Sequence, residues 1–61
     1  MILYIPDMDD LFCSKTISDE LKKNNIDATV ILASKKIILV RETDADRAIK
    51  IIISLGFSVE K

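Results

Sequence analysis

Thr29-Val30-Ile31-Leu32-Ala33-Ser34-Lys35-Lys36-Ile37-Ile38-Leu39-Val40 is two β-branched, apolar runs broken by two polar residues. Such runs favour strands, and a two-residue break between them makes a hairpin turn. The pattern predicts strands over 28–33 and 36–42, joined at Ser34-Lys35. Neither run alternates apolar with polar, as a half-exposed antiparallel strand should. Ile2-Leu3-Tyr4-Ile5 has the same two-faced character. It predicts a strand over 2–6 that stops at Pro6, which has no N–H for a ladder bond.

The rest of the chain supplies two helices. Asp10 is placed to N-cap a helix starting at Leu11, and Cys13, Ile17 and Leu21 recur at i, i+4, i+8 on one stripe. Thr16-Ile17-Ser18-Asp19 is a second candidate start, as a capping box; the longer stripe favours the first. Lys22 and Lys23 suit the last turn, and Asn24-Asn25 ends it, one of them left-handed. Thr43-Asp44-Ala45-Asp46 reads as a capping box opening a second helix, with Ala45, Ala48, Ile49, Ile52 and Leu55 on one face. Gly56 suits the position after that helix, with Phe57 closing back on Ile52. Residues 57–60 alternate and predict a last short strand.

The order strand, helix, strand, strand, helix, strand, with right-handed crossovers and a central hairpin, leaves few topologies. The expected fold is α+β: a ferredoxin-like βαββαβ sandwich, with a four-stranded antiparallel sheet and both helices on one face. Strand 1 lies beside strand 3, and strands 2 and 4 are the edges. Residues 1–61 form one domain, without repeat, linker or low-complexity stretch.

Period-2 alternation divides the strands between two faces. Leu3, Ile5, Val30, Leu32, Ile38, Val40, Phe57 and Val59 are wholly apolar and are assigned to the helices. Ile2, Tyr4, Thr29, Ile31, Ala33, Ile37, Leu39 and Arg41 are assigned outward, with Ser58 and Glu60. Two helices cover one face only, so the second face is expected to meet another copy, a partner or a ligand. Each large apolar side chain left in water forgoes roughly 1.5–3 kcal/mol, and a patch of that size marks an interaction site. Ile31→Asp and Leu39→Asp are then expected to give folded monomers. The strand from Asp27 to Ala33 carries no Pro or inward Lys to protect it, so edge pairing is a further route to self-association.

Composition narrows the function. Sixty-one residues make a small core, which disulfides, metals or oligomerisation often reinforce. Cys13 is the one cysteine and there is no His, so an internal disulfide and a zinc cluster are both excluded. Oligomerisation remains. With 49% apolar and 31% charged residues the chain is foldable and soluble in composition. Its abundant Ile and Lys fit a thermophile, and fit an AT-rich genome equally. A formal charge of −1 gives no drive toward nucleic acid or anionic lipid. No run is long and apolar enough for a membrane span, there is no signal-peptide pattern, and a lone Cys fits a cytoplasmic protein.

Candidate sites are few. Cys13 near a helix N-terminus could be a stabilised thiolate, though free Cys more often packs as a small hydrophobe. Asp7, Asp9 and Asp10 could bind a ligand or a hard cation, but capping and solvation explain them more simply and the spacing lacks the Gly and distal Glu of an EF-hand, so no metal site is expected. Asp44, Asp46 and Arg47 fit a helix first turn, with Arg47 toward solvent. No His, no paired nucleophile and base, and no Gly-rich phosphate loop are present, so an enzyme and a bound cofactor are not expected. Tyr4 is the sole outward strand aromatic and no basic footprint exists, against RNA binding.

Two resemblances add to this reading. Phe12-Cys13-Ser14-Lys15 with Leu21-Lys22-Lys23-Asn24-Asn25-Ile26 resembles the first strand and helix of glutaredoxins, without their second Cys or their cis-proline. Glu20 to Ala28, and Ile38-Leu39-Val40-Arg41-Glu42 through Asp44, Ala45, Ala48 and Ile49 to Gly56-Phe57-Ser58-Val59, resemble ACT-type regulatory domains and a family of small prokaryotic signal-transducing proteins. The resemblance implies the ferredoxin-like fold, a homodimer and a regulatory role. ACT domains carry a Gly after strand 1 that helps bind an amino acid, and Pro6-Asp7-Met8-Asp9-Asp10 has none. The expected function is a non-enzymatic, self-associating interaction or regulatory module working through its outer sheet face. The alternatives are a small-molecule sensor at the 7–10 loop and a thiol or sulfur carrier using Cys13.

Overall fold

A computed structural model describes residues 1–60. The elements follow the order β1 (Ile2–Tyr4), α1 (Leu11–Lys23), β2 (Ala28–Ile31), β3 (Lys36–Leu39), a single 3-10 turn (Glu42–Asp44) and α2 (Ala45–Ser54). β3 lies between β1 and β2 and runs antiparallel to both. The result is a small α+β fold of three strands and two helices, compatible with a ferredoxin-like arrangement. Among the described residues, the expected fourth strand is represented by one antiparallel bridge, Tyr4 opposite Glu60. The two residues exchange backbone hydrogen bonds of 2.7 and 2.8 Å.

The helix ends form as their residues dictate. Asp10 is extended and its carboxylate accepts from the Cys13 N–H at 2.9 Å, an N-cap. At the other end Asn25 is left-handed, with φ 59°, while Asn25 and Ile26 donate to the Lys22 and Leu21 carbonyls. This is a Schellman motif whose apolar closure, Ile26 on Leu21, is buried. α2 ends the same way: Gly56 has φ 96° and Phe57 donates to the Ile52 carbonyl. Its start differs from the expected capping box. Asp44 is helical in backbone and makes no cap bond, because the 3-10 turn ahead of it already feeds the chain into the helix.

Leu3, Ile5, Ile37 and Leu39 from the sheet meet Ile17 and Leu21 of α1 and Ala45, Ala48 and Ile52 of α2 in one core, with Met8 and Ile26 from the loops. Val30, Leu32, Phe57 and Val59 pack against it as expected. β3, however, has the opposite phase to that expected. Ile37 and Leu39, assigned outward, are fully buried, whereas Ile38 and Val40, assigned to the core, are 37% and 71% exposed. Register is the reason. Val30 pairs with Ile37 and Thr29 with Ile38, and directly paired residues share a face. The hairpin loop is also longer than expected. It comprises Leu32–Lys35, with Lys35 donating back to the Leu32 carbonyl and held at φ 55°. Ala33 is therefore an exposed turn residue rather than a face residue, and Arg41 lies beyond the end of β3.

Among the described residues, no helix is long and apolar enough to cross a membrane.

Candidate functional site

The β1–α1 loop and the start of α1 carry Asp7, Asp9, Asp10 and Cys13. Met8 anchors this loop in the core. Its acids are then drawn to separate partners. Asp7 accepts from the Ser58 N–H at 2.8 Å. Asp9 pairs with the Lys35 ammonium at 2.8 Å, and the same ammonium donates to the Pro6 carbonyl at 3.1 Å. Ile5 in turn donates to the Lys35 carbonyl, so loop and hairpin turn are joined by three bonds through one residue. Asp7 and Asp9 thus serve the fold, and Asp7, Asp9 and Asp10 do not converge on a common point.

Asp10 and Cys13 share the start of α1. The N-capping geometry lays the Asp10 carboxylate over the first turn, where one oxygen accepts from the Cys13 N–H at 2.9 Å. The hydrogen bond from the Cys13 backbone holds the Asp10 carboxyl below its usual range. The carboxylate has the reverse effect on the thiol. Its hydrogen bond, with burial and its negative charge, pushes the Cys13 thiol up. At neutral pH Cys13 is therefore protonated and a poor nucleophile, despite its place at a helix N-terminus. Leu11 and Phe12, which lie between the two in sequence, are 73% and 78% exposed. Sequence reasoning missed this pairing because it treated Asp10 as a cap and Cys13 as a core thiol separately; the Asp-x-x-Cys spacing was the available signal.

No group of three or more His, Cys, Asp or Glu side chains able to hold a metal ion forms among the described residues.

Two other features are structural. Asp44 is nearly buried between Arg47 at 3.1 Å and Arg41 at 3.4 Å, and Arg41 also reaches Asp27 at 3.3 Å. Arg47, expected toward solvent, has a side chain 57% exposed and also pairs with Asp44. An open depression on α1 is lined by Thr16, Asp19, Glu20, Lys22 and Lys23, which are ordinary surface residues of a helix.

The outer sheet face carries Ile2, Tyr4, Thr29 and Ile31, as expected, but with Lys36 and Ile38 in place of Ile37 and Leu39. The Lys36 ammonium lies 5.6 Å from the Tyr4 ring centroid, a cation–π contact.

No family model and no curated protein matches the chain. Among solved structures it is similar to one described as "Crosstalk between Cu(I) and Zn(II) homeostasis". The TM-score is 0.83 at 24% identity, over 98% of each chain. At that identity the likeness shows a shared fold.

Proposed function

We propose that the protein is a non-enzymatic carrier domain for a thiophilic metal ion, which it holds between Asp10 and Cys13 and shares with a partner. The observation that carries this reading is one carboxylate and one thiol side chain on the first turn of α1, the carboxylate bonded to the Cys13 N–H, with two exposed apolar side chains between them in sequence. Zinc accepts both donor types, whereas copper(I) prefers an all-sulfur shell, so the pair fits Zn(II) better. Two donors fill half of a tetrahedral shell. The remaining positions fall to water or to a second protein, for which Leu11 and Phe12 offer apolar contact. The full-length likeness to a protein described in terms of Cu(I) and Zn(II) homeostasis supports the same reading. In this reading the fold is the complete ferredoxin-like sandwich, with residues 57–60 as its fourth, edge strand beside β1.

The raised thiol makes protons strong competitors. Binding requires the Cys13 proton to leave, so affinity rises with pH through the neutral range. Cobalt(II) titration tests the proposal through the thiolate-to-metal absorption band. The band is expected in the wild type, absent in Cys13→Ser, and weaker in Asp10→Asn. Cobalt binding that survives Cys13→Ser unchanged, or a wild type that never shows the band, would sink the reading.

A further inference from the structure

The outer sheet face lies apart from the Asp10–Cys13 pair, and its charges are arranged as a self-complementary set. Register places Ile31, Lys36, Tyr4 and Glu60 in one row across the sheet, each directly paired with the next. Thr29, Ile38 and Ile2 form the adjacent row. Lys36 and Glu60 are thus each one strand spacing, about 4.8 Å, from Tyr4, on opposite sides of it. Ile2, Tyr4 and Ile38 are the exposed apolar side chains between and beside them.

We propose that this face docks onto a second copy of the chain about a two-fold axis running along β1. Such an axis sets Tyr4 against the second copy's Tyr4 and Ile2 against its Ile2. Because the axis exchanges the two sides of β1, Lys36 meets the second copy's Glu60, and Glu60 meets its Lys36. A two-fold interface is the same patch used twice, so it needs opposite charges at positions that the axis interchanges; Lys36 and Glu60 meet that condition. Sheets packed face to face lie about 10 Å apart, within reach of these two long side chains. A body of 27 × 20 × 17 Å offers a small face. Compared with the roughly 800 Å² per partner of a standard interface, the face is small and the dimer is weak.

The test is sedimentation equilibrium from low micromolar to millimolar concentration, with and without a metal chelator, with folding of each variant checked by circular dichroism. The wild type dimerises in both conditions. Lys36→Glu and Glu60→Lys each turn two ion pairs into two repulsions and weaken the dimer by about tenfold or more. The double variant Lys36→Glu/Glu60→Lys restores it. A wild type that stays monomeric at millimolar concentration overturns the proposal, and so does a dimer that the chelator abolishes, since that contact would sit at the Asp10–Cys13 end. Single reversals without effect, or a double variant no better than the singles, overturn the axis. Failure of cobalt binding leaves all of these outcomes readable.

Discussion

Asp10 acts on Cys13 in two ways with one carboxylate: it caps α1 through the Cys13 N–H and raises the Cys13 thiol. The amide of Asn caps as well as a carboxylate but carries no charge. Asp10→Asn is therefore expected to leave α1 intact and let the thiol fall back toward its ordinary range. Alkylation of Cys13 by iodoacetamide at neutral pH should accelerate by about two- to tenfold; an unchanged rate would mean the carboxylate does not control the thiol. The pH dependence follows from the same pair. The depressed Asp10 carboxyl contributes stability above the ordinary carboxylate range, lost as pH falls through its folded value. The raised Cys13 thiol contributes below the ordinary thiol range, lost as pH rises through its folded value. The start of α1 is thus firmest between these limits. Asp10 as a cap was legible in the sequence, since capping is local. The partners of Asp7 and Asp9 were not, because Ser58 and Lys35 lie 51 and 26 residues away.

Element boundaries and caps were largely readable: Asp10, Asn25 and Gly56 stand where the local chemistry of helix ends requires. The phase of β3 was not read correctly, and the reason is specific. Ile37-Ile38-Leu39-Val40 is apolar throughout and has no alternation of its own. Two flanking charges pointed opposite ways, Lys36 marking the even positions as outward and Arg41 the odd ones. Lys36 is inside the strand and Arg41 is past its end, so Lys36 was the informative residue. The hairpin held a second clue: with a two- or a four-residue loop alike, Val30 shares a face with Ile37 and Leu39. Leu39→Asp, expected from the sequence to yield a folded monomer, should instead unfold the protein. Leu39→Ala should lower stability by about 2–5 kcal/mol. Ile38→Asp should remain folded, as should Ile31→Asp. Urea unfolding of the three Asp variants checks this, and a Leu39→Asp variant as stable as Ile38→Asp would contradict the observed register.

For the molecule as a whole, the sequence of elements and their hydrophobic periods were enough to expect an α+β fold with a central hairpin, because those signals are strong and short-range. The weak terminal pairing was not legible: Phe-Ser-Val-Glu alternates like a strand, yet only Glu60 bridges to β1. That bridge still matters. A chain ending after Ser58 loses the packing of Val59 and two backbone hydrogen bonds at Tyr4, and is expected to lose about 1–3 kcal/mol. An unchanged urea midpoint would mean the bridge is idle. Close to that bridge, Lys35 fastens the hairpin turn to the loop that leads into Asp10. Its left-handed backbone is a conformation that glycine would adopt more readily, yet the ammonium is what does the fastening. The loop's conformational entropy is thus surrendered during folding rather than at capture. On the proposed reading, a partner that docks beside Cys13 meets a preorganised surface, and little of its binding free energy is diverted into freezing a floppy segment.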